Sequence, residues 1–133
     1  MKALKYLQLI ALCVLTLSLF SCQDDDEIFD RLTGETWVGD LGFSDRYGEK
    51  LESGLFFKNN GFGYDDQCYF DDPRIVTTMD FRWTVQNGDL MLDYGNNQPL
   101  LEIRGIYVGD SELTGVLYVD GKNDGSITLR RMR

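Results

Sequence analysis

The clearest candidates for metal chemistry in this chain are paired carboxylates. Asp65-Asp66 and Asp71-Asp72 lie on either side of Cys68, and carboxylate oxygens are ligands that Ca²⁺ prefers. The spacing is not that of a known calcium loop, and 22 of the 133 residues are acidic. We therefore favour a solvated acidic segment over a calcium site at this place in the chain.

A second acidic segment, from Asp120 to Gly125, resembles the beginning of an EF-hand calcium loop, with Asp124 as a further oxygen ligand. An EF-hand also needs an oxygen ligand at its third position and a carboxylate at its twelfth. Here those positions hold Lys122 and Arg131. We therefore predict that the chain has no metal ligands.

The sequence also lacks the usual parts of a catalytic site. It has no histidine, so a serine or cysteine nucleophile would lack the imidazole base that commonly activates it. Carboxylates, lysines and tyrosines remain as bases, but no Ser/Lys pair and no pair of catalytic carboxylates is evident. We expect a protein that is not an enzyme, with no catalytic residues and no cofactor.

Short β-strands are the elements that must position these side chains. The segments 81–86 and 89–94 alternate apolar and polar residues around Asn87-Gly88, a dipeptide that tolerates positive φ at both positions. This pattern predicts a β-hairpin with one face in the core. The predicted inward side chains are Phe81, Trp83, Val85, Leu90, Leu92 and Tyr94.

Similar turn signals recur at Asn60-Gly61, at Gly109-Asp110 and over 121–125. Consecutive hairpins leave no room for crossover helices, and short strands with aromatic inner faces favour closure into a barrel. We predict an all-β fold, a small up-and-down antiparallel β-barrel of about eight strands. The predicted strands span 36–43, 55–58, 62–65, 75–86, 89–94, 100–108, 113–120 and 126–131.

The amino-terminal segment has the composition of an export signal. Lys2 and Lys5 form a basic start, and the apolar run 6–20 follows them. This run is shorter than the roughly 20 residues that a membrane-spanning helix needs. We therefore interpret the segment as a signal peptide and not as a membrane span.

Leu19-Phe20-Ser21-Cys22 ends this run and resembles the lipobox of bacterial lipoproteins. In that class, signal peptidase II cuts before the cysteine, and the thiol and the new amino terminus are acylated. The resemblance implies that residues 1–21 are a cleaved helical signal peptide and that Cys22 is the lipidation site. Cleavage by the ordinary signal peptidase and an uncleaved anchor are the alternatives.

Four acids, residues 24–27, follow the anchor position almost directly. Such a run does not pack in a core and is repelled by anionic headgroups, so we predict that residues 22–31 form a tether with a short helical turn over 28–32. The run also resembles the export signal of Bacteroidota lipoproteins, which implies the outer leaflet of the outer membrane, exposed at the cell surface. The alternative is a spacer that faces the periplasm.

The net charge of −9 becomes more negative if Lys2 and Lys5 leave with the leader. A surface this acidic argues against nucleic acid as a partner. Cys13 would leave as well and Cys22 would be acylated, so Cys68 would have no cysteine of its own chain for a disulfide. We interpret Cys68 as a buried apolar thiol.

The start of the predicted barrel, from Leu32 to Trp37, resembles the entrance of lipocalin-like domains, where a tryptophan near the start of the first strand closes one end. In that superfamily an arginine of the last strand lies across this tryptophan. The resemblance covers most of 32–132 and implies a lipocalin-like barrel domain over 32–133, closed by Trp37 and Arg131 through a cation–π contact. An ordinary core tryptophan and a surface arginine are the alternative.

Two classes of function follow from such a fold. The first is a binding module for a small apolar or amphipathic ligand inside the barrel. The second is a structural or interaction lipoprotein with a filled barrel that docks an outer-membrane protein, since an eight-stranded barrel is just wide enough for either. The short chain, with Gly-x-x-Trp where lipocalins have Gly-x-Trp, leaves the cavity size open. The candidate lining residues are Phe57, Tyr64, Met79, Phe81, Trp83, Leu92 and Leu117.

Overall fold

Eight antiparallel strands close into a barrel in the computed structural model, which describes residues 23–132. The elements are α1 (Asp25–Leu32), β1 (Thr36–Gly39), β2 (Leu51–Phe57), β3 (Phe62–Tyr69), β4 (Asp72–Gln86), β5 (Asp89–Asp93), β6 (Leu101–Val108), β7 (Glu112–Val119) and β8 (Lys122–Met132). Each strand pairs with its neighbour along the chain, and β1 pairs with β8 to complete the circle. The predicted all-β, up-and-down antiparallel barrel is confirmed. The predicted signal peptide and lipidation site lie outside the described residues.

The hairpin of β4 and β5 forms as its sequence predicts. Asn87 and Gly88 adopt positive φ values of 54° and 78°, and Trp83 lies opposite Leu92 in the ladder. The side chains of Phe81, Trp83, Leu90 and Leu92 face the core, and the residues that alternate with them, including Met91, face outward. The turns predicted between β2 and β3 and between β6 and β7 are also present.

β1 ends at Gly39, four residues before the predicted end. The backbone of Gly39 approaches Leu129 so closely that a Cβ atom there would collide with the leucine side chain. The Asp40 carboxylate then accepts the backbone N–H of Gly42 at 2.8 Å, which turns the chain away from the strand direction. Strand β1 is therefore short, and the chain crosses the barrel mouth as a loop.

β8 begins earlier than predicted, at Lys122. Asp120 and Gly121, with φ values of 48° and 80°, form a two-residue turn, and the Asp120 side chain accepts the N–H of Leu100 at 2.8 Å. Positive φ at both positions is the conformation that tight hairpin turns require. The predicted five-residue loop is therefore wrong, and residues 122–125 belong to the strand.

The hairpin of β3 and β4 is longer than predicted. The two strands pair as far as Tyr69 and Asp72, with an irregular register on either side of Cys68. Residues 73–78 of β4 are exposed on both faces, so the end of this hairpin projects beyond the packed wall of the barrel. We call residues 69–78 the arm.

Helix α1 closes one end of the barrel. Ile28 and Leu32 are fully buried, and the ring of Phe29 stacks on that of Trp83 with 4.8 Å between centroids. We call this the helix end; it carries the β2–β3, β4–β5 and β6–β7 turns. The β1–β2 loop, residues 40–50, lies at the opposite end, which we call the loop end. Within residues 23–132, no helix is long and apolar enough to cross a membrane.

The prediction that the acidic run forms a free tether is wrong. Asp24 is the N-cap of α1, and its carboxylate accepts the backbone N–H of Glu27 at 2.7 Å. Asp25 accepts the N–H groups of Asn87 and Gly88 at 2.9 and 2.8 Å. Unpaired N–H groups at a helix start and the helix dipole favour acids there. The acids therefore start the closing helix, three residues before the predicted helical turn.

Candidate ligand-binding site

Most of the predicted lining residues fill the helix end of the barrel. Phe57, Phe81, Trp83 and Leu92 belong to one buried cluster. The Phe57 ring lies 5.0 Å from that of Trp83 and 5.5 Å from that of Phe81, each with its edge toward its neighbour. Such edge-to-face contacts pack tightly. These side chains form a core and not the wall of a cavity.

The prediction that Tyr64 faces the interior is wrong. Side chains of a strand alternate between faces, and in β3 the buried residues are Gly63, Asp65 and Gln67. Tyr64 is on the outer face, where its ring stacks on that of Phe56 at 5.2 Å. The aromatic side chain therefore belongs to the outer surface of the barrel.

The β1–β2 loop partly closes the loop end. Leu41 is buried, and Phe43 packs its ring edge-on against Tyr94 with 5.2 Å between centroids. Asp45 holds the loop in shape, because its carboxylate accepts the backbone N–H groups of Tyr47 and Glu49, each at 2.9 Å. The loop thus places one aromatic ring in the mouth of the barrel.

A cleft of about 490 Å³ lies between this loop and the arm, and we call it the mouth cleft. Its floor comes from inward residues of β2, β3 and β4, including the predicted lining residue Met79. The wall is mostly apolar and aromatic, and its polar groups include a guanidinium, two side-chain amides and the Asp45 carboxylate. Among the lining residues are Phe43, Arg46, Leu51, Tyr69, Met79 and Gln98.

A second cavity of about 560 Å³ lies on the other side of the loop, and it contains the predicted lining residue Leu117. Its other walls come mainly from charged and hydroxyl side chains, among them Asp40, Lys50 and Asp124. A polar, open cavity of this kind is well solvated and offers little apolar surface to a ligand. The mouth cleft is therefore the better candidate site.

A hydrogen bond joins the loop to the arm across the mouth cleft. The Tyr69 hydroxyl donates to the Asp45 carboxylate at 2.8 Å. This bond lowers the pKa of Asp45, because it favours the ionised carboxylate. It raises the pKa of Tyr69, because the hydroxyl must keep its proton to donate. The bond thus holds the loop to the arm across the cleft.

A buried carboxylate lies in the barrel wall beside the cleft. Asp65 is fully buried and accepts hydrogen bonds from the Ser53 hydroxyl, the Gln67 amide and the Tyr94 hydroxyl at 2.9 to 3.0 Å, and from the Gly54 N–H at 3.1 Å. Burial raises the pKa of Asp65, and the four donors oppose this shift. Burial also raises the pKa of Tyr94, and the nearby charge of Asp65 adds to that effect.

The prediction that Asp65 belongs to a solvated acidic segment is wrong, because its side chain is fully buried. Strand periodicity is the sequence signal that identifies Asp65 as an inward residue. The Asn60-Gly61 turn sets where β3 begins, and alternation from Gly63 puts Asp65 on the inner face. The paired acids are also separated in space, since Asp66 accepts from the Thr78 hydroxyl on the outer face. No group of three or more potential metal-ligating side chains occurs within the described part of the chain.

Cys68 lies on the outer face of β3, at the base of the arm, and is only partly buried. Its thiol donates to the carbonyl oxygen of Pro73 at 3.4 Å. Burial, together with the charge of acids such as Asp66, raises the pKa of the Cys68 thiol. The thiol is therefore held in its protonated form, which is the less reactive form.

Trp37 and Arg131 lie directly opposite each other in the β1–β8 ladder. Trp37 is buried and its indole N–H donates to the carbonyl oxygen of Leu32, the last residue of α1, at 3.4 Å. The Arg131 guanidinium instead lies 3.9 Å from the Glu35 carboxylate. The predicted cation–π contact between Arg131 and Trp37 is therefore absent from the contacts of this kind among residues 23–132. Trp37 thus connects α1 to the β1–β8 seam, the strand pair that closes the barrel, and Arg131 lies beside Trp37 in that pair.

No protein-family model, curated protein or solved structure matches this chain.

Proposed function

We propose that this protein is a lipoprotein of the cell envelope whose barrel is a non-catalytic binding module for a small amphipathic ligand. In this proposal an acylated Cys22 holds the protein at the outer membrane, exposed at the cell surface, and the ligand occupies the mouth cleft. A periplasmic location is the alternative for the same anchor. The ligand has an apolar body and a polar or anionic head.

The single observation that carries the ligand proposal is the composition of the mouth cleft. Its volume of about 490 Å³ falls within the range of roughly 300–1,000 Å³ typical of small-molecule sites. Phe43, Leu51 and Met79 supply apolar surface, and Arg46 and Gln98 supply polar groups. An apolar wall with a few polar groups is the usual arrangement where a protein binds an amphipathic molecule.

A charge placed in the cleft is expected to weaken the binding of a model amphiphile. The probe is 1-anilinonaphthalene-8-sulfonate, which combines an aromatic body with one anionic group and fluoresces in apolar sites. Met79→Glu should weaken its binding about tenfold or more, because it replaces apolar wall with a carboxylate that repels the sulfonate. Fluorescence titration measures the affinity.

Met91→Glu is the matched control, because Met91 lies on the outer face of β5 and is exposed. Its affinity for the probe should equal that of the unaltered protein. Equal affinities for all three proteins would show that the probe does not use the mouth cleft, and the ligand proposal would then lose its support. Native mass spectrometry of protein purified from its host tests in parallel whether a small molecule accompanies it.

The anchor is tested separately. Cys22→Ala is expected to leave the full-length precursor uncleaved and to remove all acyl mass, because the thiol is the acylated group in lipoproteins. One acyl chain gives only marginal attachment, so stable anchoring needs two or more chains. Intact-mass spectrometry of the membrane fraction measures both effects. Normal cleavage of the alanine variant would contradict lipidation.

A second candidate function, docking of an outer-membrane protein, is favoured by the arm. Phe70 and Ile75 on the arm and Met132 on β8 are exposed apolar side chains, and they line a groove of about 580 Å³ on the outer face. Exposed apolar patches often mark protein contacts. Absence of both a probe site and a co-purified molecule would favour this function over ligand binding.

A further inference from the structure

We infer that the lipid anchor holds the barrel with its helix end against the membrane and its mouth cleft facing away from it. The inference rests on the proposed lipidation of Cys22 and goes beyond it, since lipidation alone does not orient a protein. A flexible tether would let the barrel tumble. The orientation of the barrel depends on how firmly the residues after the anchor are attached to it.

Gln23, the residue that follows Cys22, is fastened to the end of β6. Its side-chain amide donates to the carbonyl oxygen of Val108 at 2.8 Å, and its side-chain oxygen accepts the N–H of Val108 at 2.9 Å. The side chain thus makes the pair of backbone hydrogen bonds that a neighbouring strand would make. Consecutive Cα atoms are about 3.8 Å apart, so only one peptide link separates the proposed anchor residue from a residue that is bonded to the barrel.

The next turn of chain is fastened as well. The Asp25 carboxylate accepts two N–H groups of the β4–β5 turn, and Arg31 lies 3.4 Å from the Asp110 carboxylate in the β6–β7 turn. Ile28 and Leu32 are buried in the barrel between these polar contacts. Helix α1 therefore cannot swing away as a spacer without exposing core residues.

The helix end also carries exposed apolar side chains suited to a headgroup layer. Phe62 begins β3, Tyr107 lies two residues before the β6–β7 turn, and Met132 ends β8. Tyrosine is favoured at membrane surfaces, and the other two side chains add apolar area to the same end. Asp24 and Asp26 are exposed at the same end and would be repelled by anionic lipids, so a zwitterionic bilayer suits this face better.

The mouth cleft lies at the opposite end of the barrel. A strand of eight residues, such as β3, spans about 26 Å, or about 20 Å along the axis of a tilted barrel. The cleft thus opens about 20 Å from the membrane surface. A ligand would enter it from the surrounding medium and not from the bilayer.

Fluorescence quenching tests this orientation. The lipidated protein is reconstituted in phosphatidylcholine vesicles that carry a quencher on the lipid headgroup. In a Cys68→Ser background, one fluorophore is attached at Asn59→Cys in the β2–β3 turn or at Tyr47→Cys in the β1–β2 loop; both positions are exposed. We expect quenching several-fold stronger at position 59 than at 47, and equal quenching would overturn the inference.

A spacer variant serves as the control for the attachment. Insertion of about ten Gly and Ser residues between Cys22 and Gln23 adds a flexible span of about 17 Å and leaves every described contact in place. The difference between the two positions should then disappear while the unfolding midpoint stays the same. A difference that persists would mean that the short link does not orient the barrel, which contradicts the inference.

Intact-mass spectrometry of the same samples separates this inference from the proposed anchor. Protein without acyl mass would refute the anchor, and the orientation with it. Protein with acyl mass but equal quenching at both positions would refute the orientation alone.

Discussion

Replacing Trp37 with alanine is expected to lower the free energy of unfolding by about 3–5 kcal/mol. The indole is 1% exposed, and its N–H donates to the end of α1 at Leu32. The substitution would open a cavity where the helix meets the β1–β8 seam, and such cavities are costly because the surrounding side chains collapse only partly. Urea unfolding with linear extrapolation measures the change.

Tyr107→Ala provides the control for this experiment. Tyr107 is 50% exposed on the outer face of β6, so its truncation should change stability by no more than about 0.5 kcal/mol. If Trp37→Ala cost less than about 1 kcal/mol, the indole would contribute little to the core. That result would contradict the role of Trp37 as the link between seam and helix.

Asp65→Ala should be similarly damaging, at about 3–5 kcal/mol. Removing the carboxylate leaves the Ser53, Gln67 and Tyr94 donors and the Gly54 N–H without their acceptor in a buried site. Loss of the acceptor of several buried donors costs far more than the net gain from making the bonds. Asp65→Asn keeps the shape and one acceptor oxygen, and it should cost clearly less by the same urea measurement.

Asp65 also predicts a pH dependence of stability. Because burial raises its pKa above the ordinary value of 3.8, the folded state binds a proton more tightly than the unfolded state. Stability from this group is therefore greatest below that value and falls as the pH rises through the folded pKa. Subtracting the pH profile of Asp65→Asn from that of the unaltered protein isolates this group, and a difference that rises with pH would contradict the assignment.

The barrel could be predicted because its signals are local. Asn87-Gly88 and Asn60-Gly61 fix two hairpins through backbone conformation, and alternation fixes which face each residue takes. The predicted positions of the strand ends are less accurate, because these ends depend on contacts between residues that are distant in sequence. β1 ends where Gly39 meets Leu129, a pair that no local pattern connects.

The two main errors concern carboxylates, and both arise from tertiary contacts. The acids at 24–27 start a helix because the β4–β5 turn supplies N–H groups to Asp25, and composition alone suggested a free tether. Asp65 is buried because three side chains and one backbone N–H surround it. Charge predicts exposure only where no such set of donors exists.

The closure of the ring through β1 and β8 has a consequence for folding. Every other strand pair joins neighbours along the chain, so those pairings close loops of eleven residues or fewer and can nucleate early. The pairing of Trp37 with Arg131 joins opposite ends of the domain and carries the largest loop-closure entropy. The sheet therefore stays an open ribbon until the final strand has been synthesised, and a prematurely terminated chain would expose β1 as a template for aggregation.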